Sequence, residues 1–258
     1  MNEIALPETI PALAAKLRAL TSARVALGRT GVSQPTREQL AFQRCHALAR
    51  DAVHAQMQAA ALAAEIAAIT GSEVFRLHSA APDRASYLQR PDLGRRLDEP
   101  SRNRLSQWRP GAFDLALIVA DGLSALAVER HAAPLLRELL SRIEKWQIAP
   151  VCVVEQGRVA VGDEIGAALG AEIAVVLIGE RPGLSSPDSL GAYVTWQPRP
   201  GRTDAERNCI SNIRVEGLTY SVAADQMASL FAQARRCQLT GVALKLESAR
   251  SLDKSGGA

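Results

Sequence analysis

A run of aliphatic residues that ends abruptly in a charged, glycine-rich loop most constrains how this chain folds. Residues 173–178 are apolar throughout, and residues 179–184 read Gly-Glu-Arg-Pro-Gly-Leu. Such a run is typical of a strand buried on both faces, and the glycines and the proline end it. In an open parallel sheet, ligands bind outside the carboxyl ends of the strands. The loop is therefore a candidate binding wall, and Glu180 is its most exposed chemical group.

The same pattern recurs along the second half of the chain. After Pro110 and Gly111, apolar runs alternate with amphipathic segments, which is typical of βα units around a parallel sheet. We predict strands at 115–120, 148–154 and 173–178, a further possible strand at 192–196, and helices at 123–146, 163–169 and 222–236.

The residues before 109 show a different pattern. Apolar residues recur at helical spacing after Pro35, and an alanine-rich run at 59–69 stops at Gly71. A short strand at 74–77 leads to a basic loop at 90–97, which we interpret as the connection to the second region. We therefore predict an α/β chain with two domains. A smaller helical N-terminal domain covers 1–108, and a Rossmann-like parallel sheet with helices on both faces covers 109–258.

Composition excludes several classes of protein. The chain has 30 basic and 27 acidic side chains among 258 residues, a formal charge of +3, which is too small for a protein that binds nucleic acid through its phosphates. No apolar run reaches the roughly 20 residues that span a bilayer. The four cysteines form no CxxC pair and have no histidine at zinc-site spacing. We predict a cytoplasmic protein with no metal site, and the start of the chain shows no leader segment.

Three loops fall at the same end of the predicted sheet and together predict a cleft. The loops lie at residues 121–122, 157–162 and 179–183, each shortly after a predicted strand. Asp121 either binds a ligand there or caps the next helix, and capping is the more common role. The loop at 157–162 has two glycines five apart before a helix, as phosphate loops do. However, Asp163 and Glu164 stand where such loops need lysine and serine or threonine, and this acidic pair would repel a phosphate.

Single residues of the second region are interpreted in turn, and two of them, Glu180 and Cys209, keep two interpretations. Glu180 with Arg181 is a surface ion pair or a group that accepts hydrogen bonds from a ligand. Val159 is by default a core residue, Cys209 is a buried inert thiol or a cofactor contact, and His131 lies on a helix surface. No catalytic triad or paired catalytic carboxylates can be picked out. The residues alone predict an α/β binding domain, with a stand-alone nucleotide-binding protein as the alternative.

Six segments together resemble one enzyme family. Between about residues 20 and 244, in order along the chain, this sequence resembles the small (light) subunit of ethanolamine ammonia-lyase. The matching motifs are Arg-Pro-Asp-Leu-Gly-Arg-Arg-Leu at 90–97, Asp-Gly-Leu-Ser at 121–124, Gly-Arg-Val at 157–159, Gly-Asp-Glu-Ile-Gly at 162–166, Gly-Glu-Arg-Pro-Gly-Leu at 179–184 and Asn-Cys-Ile-Ser-Asn-Ile at 208–213. The last three motifs are the most specific.

The resemblance implies a lyase that converts ethanolamine to acetaldehyde and ammonia by radical rearrangement with adenosylcobalamin. It implies a hetero-oligomer of several pairs of large and small subunits, with the catalytic residues in the large subunit and the cofactor between the two chains. By motif position, the contacts of this chain with the cofactor are Val159, Glu180 and Cys209. Relatives that carry a long N-terminal extension are packed into a bacterial microcompartment. Here only about 20 residues precede the matching region, and residues 4–17 could still form a short amphipathic helix, so encapsulation is possible but not supported.

Overall fold

A mixed six-stranded sheet forms the centre of the computed structural model, which describes residues 10–21, 23–108 and 110–244. The strands are β1 (Val74–His78), β2 (Phe113–Ala120), β3 (Val151–Glu155), β4 (Ala171–Gly179), β5 (Leu190–Trp196) and β6 (Arg207–Ile213). Their order across the sheet is β1-β3-β2-β4-β5-β6. The first four strands in this order are parallel, whereas β5 is antiparallel to both β4 and β6.

Helices cover both faces of this sheet. The α-helices are α1 (Ile10–Leu20), α2 (Thr36–His54), α3 (Ala59–Thr70), α4 (Arg84–Gln89), α5 (Glu99–Ser106), α6 (Ala125–Leu140), α7 (Val161–Leu169) and α8 (Tyr220–Cys237). Helices α3, α6 and α8 pack in the core on one face, and α5 and α7 pack on the other. Short 3-10 turns lie at Leu93–Arg95 and Asp204–Glu206. None of the described helices is long and apolar enough to cross a membrane.

Strand β2 shows why the central strands are apolar on both faces. Leu115, Leu117 and Val119 point into the core beneath α3, α6 and α8, and the alternate residues point towards α5 and α7. A Cβ atom added to Gly162 of α7 would overlap with Val176 Cγ2 of β4. Glycine at that position therefore lets the start of α7 lie in direct contact with the sheet.

The prediction of a wholly parallel sheet is wrong for its last two strand pairs, β4–β5 and β5–β6, which are antiparallel. After β4 the chain runs through an irregular segment at 180–189 and returns directly as β5, without the crossover helix that a parallel neighbour requires. The strand β6 was not predicted, because its sequence Arg-Asn-Cys-Ile-Ser-Asn-Ile has little apolar alternation. It lies at the edge of the sheet, where one side of a strand needs no partner.

The first region is continuous with the sheet. Strand β1 pairs with β3 from Val74↔Val151 to His78↔Glu155. The boundary between residues 108 and 109 remains a prediction, and it would separate β1 from this partner. The helix predicted at 123–146 is shorter in the structure, where α6 spans Ala125–Leu140. Ser124 caps its start, since Ser124 Oγ accepts a hydrogen bond from Ala127 N at 3.3 Å.

Candidate functional site

The loops after β2, β3 and β4 meet in one cleft, as their positions at parallel strand ends predicted. The cleft has a volume of about 450 Å³. It is lined by Tyr87, Gly122, Leu123, Arg158, Val159, Ile178, Gly179, Glu180, Arg181 and Tyr193. We call this the strand-end cleft. It is half enclosed, so a ligand bound there remains open to a second surface.

A second depression adjoins the strand-end cleft and shares Arg158, Val159 and Tyr193 with it. Its volume is also about 450 Å³. The remaining lining residues are Arg95, Ala160, Arg202, Thr203 and Asp204. We call this second depression the side cavity. Together the two cavities offer one continuous surface that combines apolar walls, carboxylates and several guanidinium groups.

Two glycines bring the loops that follow β2 and β4 into direct contact. Gly122 has a φ of +58°, a backbone conformation that favours glycine, and a Cβ atom there would overlap with Gly179 O. A Cβ atom on Gly179 would in turn overlap with Ser124 O. Leu123 N donates a hydrogen bond to Gly179 O at 2.9 Å. This contact fixes the backbone from which Glu180 projects.

Glu180 is half-buried and is positioned by two neighbouring segments. Its backbone N donates to Ser189 O at 3.0 Å, and its Oε2 accepts a hydrogen bond from Asn212 N of β6 at 3.2 Å. A Cβ atom on Gly191 would lie 3.1 Å from Glu180 Oε1, so glycine there leaves room for the carboxylate. No ion pair joins Glu180 to Arg181, both of which the structure describes. Of the two interpretations of Glu180, the surface ion pair is therefore wrong.

Cys209 is exposed, and the expectation of a buried thiol is wrong. It lies on the edge strand β6 and faces Tyr193 of β5 in the sheet register. The two side chains form a hydrogen bond, and Tyr193 lines both cavities. The pKa of Tyr193 is raised above its usual range, first by burial and then by Cys209 and the Glu180 carboxylate. Its hydroxyl therefore stays protonated and is available as a hydrogen-bond donor.

Val159 lies at the margin of the core, where it is partly buried and packs against the hydrophobic cluster on the α5 and α7 face of the sheet. It is half-buried in the loop between β3 and α7 and lines both cavities. The segment around it is a tight turn, since Val161 N donates to Arg158 O at 2.9 Å and Gly162 N donates to Val159 O at 3.1 Å. The structure thus places Val159 and Glu180 in the same cleft. Cys209 does not line this cleft but lies beside Tyr193, which does.

Asp121 does not cap a helix but ties the strand ends together beneath the cleft. It is 1% exposed, and its Oδ1 accepts a hydrogen bond from Gly157 N at 3.0 Å. Its Oδ2 lies 3.4 Å from Arg84 Nη1, which also donates to Gly122 O at 2.8 Å. Burial raises the pKa of Asp121 to about 6, and the charge of Arg84 opposes this rise.

The raised pKa of Asp121 predicts a pH dependence of stability. A carboxylate whose pKa is about 6 in the folded state and about 3.9 in the unfolded state contributes stability below about pH 4, and this is lost as the pH rises to about 6. We therefore expect the free energy of unfolding of the wild type, minus that of Asp121→Asn, to fall by up to about 3 kcal/mol over this window. Urea unfolding at several pH values measures it. A difference that is constant, or that grows with pH, contradicts the assignment.

His131 is buried rather than on the surface of its helix. It is 5% exposed, and its Nδ1 lies 2.8 Å from the Tyr220 hydroxyl. Burial lowers the pKa of His131, although the Asp188 carboxylate 3.6 Å from Nε2 opposes this shift. It lines neither cavity. Its role is to join α6 to α8 and to the segment that precedes β5.

Sequence reasoning missed several lining residues. Tyr87 is a single tyrosine in the short helix α4, and Arg95 lies in the basic loop that was interpreted as a connection. Tyr193 lies in a strand and alternates with buried neighbours, so nothing in the sequence marks it as a site residue. The sequence signal for these residues was the high arginine content of 90–96. It indicates a positive charge but not which arginine side chain faces a cavity.

The cleft presents polar groups of several kinds to a ligand. Its lining contains one carboxylate, two guanidinium groups and two phenols, with no histidine, cysteine or serine. Among the described residues, no cluster of three histidine, cysteine, aspartate or glutamate side chains is arranged to hold a metal ion. The fold and the cleft define an α/β protein with a candidate ligand-binding edge at the ends of its parallel strands.

Comparison with known proteins shows the family. The family model described as ethanolamine ammonia-lyase light chain (EutC) matches residues 12–245, so the chain belongs to this family. A protein of Ralstonia nicotianae named ethanolamine ammonia-lyase small subunit is 60% identical over 234 residues, which cover 89% of this chain and 86% of that protein. Proteins with the same name from Pseudomonas fluorescens Pf-5 and Pseudomonas syringae pv. tomato are each 58% identical over 238 residues. Those alignments cover 90% of this chain and 86% and 83% of the relatives.

Proposed function

We infer that this chain is the small subunit of an ethanolamine ammonia-lyase and that it supplies one wall of an adenosylcobalamin site, opposite a large subunit. The inference rests on the strand-end cleft of a chain in this family. Val159 and Glu180 line this cleft, and Cys209 forms a hydrogen bond with Tyr193, which lines it as well. The enzyme converts ethanolamine to acetaldehyde and ammonia. We expect the catalytic residues for this reaction to belong to the large subunit.

The residues of the cleft fit a large amphipathic cofactor. Cobalamin presents an apolar macrocycle, a rim of amide side chains and one phosphodiester. Leu123, Val159 and Ile178 offer apolar contact, and Glu180 offers carboxylate oxygens to amide donors. The missing Cβ of Gly191 leaves space beside that carboxylate. A half-enclosed cleft covers part of such a ligand, and a second chain is needed to cover the rest.

The residues of this chain bind and orient the cofactor, and they exclude water from it. Glu180 accepts hydrogen bonds from cofactor amides, and its link to Asn212 N holds the carboxylate at the mouth of the cleft. Val159 packs against the cofactor, and the protonated Tyr193 keeps Cys209 in place at the neighbouring edge. When bound, adenosylcobalamin supplies a cobalt–carbon bond whose homolysis starts the radical rearrangement, and the protein supplies position and shielding.

Reconstitution with a large subunit tests this proposal. The chain is co-expressed with the large subunit of an ethanolamine ammonia-lyase and purified through a tag on one chain only. We expect a stable complex that releases acetaldehyde and ammonia from ethanolamine only when adenosylcobalamin is added. A complex that does not form, or that turns over equally without the cofactor, contradicts the proposal.

The exposure of Cys209 gives an independent prediction. In the separate chain, a thiol-alkylating reagent should label Cys209 readily, whereas the fully buried Cys152 stays unmodified. In the complex with the large subunit and cofactor, we expect labelling of Cys209 to slow by at least roughly tenfold, because the covered edge excludes the reagent. Peptide mass spectrometry measures both sites, and Cys237, on the far end of α8, serves as the control. Equal labelling of Cys209 with and without partner and cofactor contradicts its place at the cofactor wall.

A further inference from the structure

The side cavity carries an excess of positive charge that cofactor amides do not require. Three arginines, Arg95, Arg158 and Arg202, line it together with one carboxylate, that of Asp204. Arg202 is already paired with Glu206, and Asp204 Oδ1 lies 3.4 Å from Arg207 Nε. The charges that remain to interact with a ligand are therefore those of Arg95, which is exposed, and Arg158.

Arg158 is held in place by protein contacts and still has one donor without a partner. Its guanidinium lies over the Tyr87 ring at 4.4 Å, its Nη2 donates to Tyr87 O at 3.2 Å, and its backbone N donates to Gly94 O at 2.7 Å. Its Nε is buried and has no hydrogen-bond partner among the described residues. Because Nε is closed off from solvent, it does not face the side cavity, and a ligand there would meet the terminal nitrogens of the guanidinium.

The acidic pair that argued against a phosphate at this loop is neutralised within the protein. Asp163 accepts two hydrogen bonds from Arg207, at 2.6 and 2.7 Å, and both side chains are buried. Glu164 accepts from Leu97 N at 2.9 Å and from Arg102 Nε at 2.7 Å. Neither carboxylate lines the side cavity. The charge that the loop presents to a ligand is therefore that of Arg158.

We propose that Arg158, with Arg95 beside it, forms a subsite for the phosphodiester in the nucleotide tail of the cofactor. This inference rests on the proposed function. A guanidinium donates charge-assisted hydrogen bonds to phosphate oxygens in a fixed planar geometry, and stacking on Tyr87 keeps that plane in place. Because Arg158 lines both cavities, it would hold the tail in the side cavity while the macrocycle occupies the strand-end cleft.

Two ligands that differ in the nucleotide tail distinguish binding of the phosphodiester by Arg158 from a general effect of Arg158 on cofactor binding. Adenosylcobalamin carries the phosphodiester, and adenosylcobinamide lacks both the phosphodiester and the terminal base. Equilibrium binding of each to the reconstituted complex is followed by the change in corrin absorbance. For Arg158→Gln we expect adenosylcobalamin to bind roughly 10- to 100-fold more weakly, with adenosylcobinamide changed less than about twofold. Arg95→Gln should show the same selectivity with a smaller loss, and Arg76→Gln, an exposed position on β1, should change neither ligand.

Each other outcome overturns the proposal. Equal loss for both ligands means that Arg158 acts on the fold or on the macrocycle, and Arg95→Gln checks this independently because Arg95 is exposed. No loss for either ligand means that the phosphodiester lies elsewhere. If the separate chain binds AMP and Arg158→Gln abolishes that binding, the subsite serves a free nucleotide. If the wild-type complex binds neither corrinoid, the proposed function itself fails. Binding of both corrinoids with no selective loss leaves that function intact and removes only this subsite.

Discussion

The Glu180→Ala complex is expected to bind adenosylcobalamin roughly 10- to 100-fold more weakly than the wild-type complex. Hydrogen bonds to a charged acceptor contribute about 1.5 to 3 kcal/mol, and Glu180 is the carboxylate of the strand-end cleft. Titration of the reconstituted complex, followed by corrin absorbance, measures the affinity. Turnover at saturating cofactor should change much less, because the role proposed for this chain is to position the cofactor.

Two further variants make the Glu180 result interpretable. Glu180→Gln keeps one oxygen acceptor for Asn212 N and should therefore retain part of the affinity. Glu144→Gln removes an exposed carboxylate that lines neither cavity and should bind the cofactor as the wild type does. If Glu180→Ala and Glu144→Gln have the same affinity as the wild type, Glu180 has no binding role.

Arg207→Met is expected to destabilise the chain by about 3 to 5 kcal/mol. Arg207 forms a bidentate pair with Asp163 and also donates to Thr195 Oγ1 and Arg202 O, both at 2.9 Å. Burial alone would lower the pKa of Arg207, but the hydrogen bonds and charge of Asp163 outweigh it and raise that pKa. Removing one member leaves the other buried and unpaired, which accounts for the size of the effect. Such a loss is a large share of the 5 to 15 kcal/mol that stabilises a typical domain.

Urea unfolding of the separate chain measures this effect against two comparisons. Arg90→Met breaks an exposed pair with Asp92 and should change the free energy of unfolding far less, because solvent screens that pair. The double variant Asp163→Leu/Arg207→Met removes both charges and should recover part of the loss, because neither buried group is then left unpaired. Equal costs for Arg207→Met and Arg90→Met would contradict the account of the buried pair.

The parts of the fold that could be predicted from sequence are those encoded by local pattern. Strands β2, β3 and β4 are apolar on both faces, and each ends in a loop with glycine, so their existence and the cleft at their ends followed from the sequence. Glu180 was identified for the same reason, since it lies between a glycine and a proline at a strand end.

The rest depends on contacts between distant segments. Strand β6 forms because β5 offers it a partner, and its own residues carry little strand signal. Asp121 and His131 are common on surfaces, and their burial follows from Arg84 and Tyr220, which lie 37 and 89 residues away. The objection to a phosphate near Asp163 also came from local pattern, and Arg207, 44 residues later, removes it.

The most direct test of the central claim compares cofactor binding by the large subunit alone with binding by the complex. The strand-end cleft supplies one wall of the proposed site, so the large subunit by itself should lack the contacts made by Val159 and Glu180. Equilibrium titration with adenosylcobalamin should show an affinity at least roughly tenfold higher for the complex than for either separate chain. If the large subunit alone binds the cofactor as tightly as the complex does, this chain does not form part of the cofactor site.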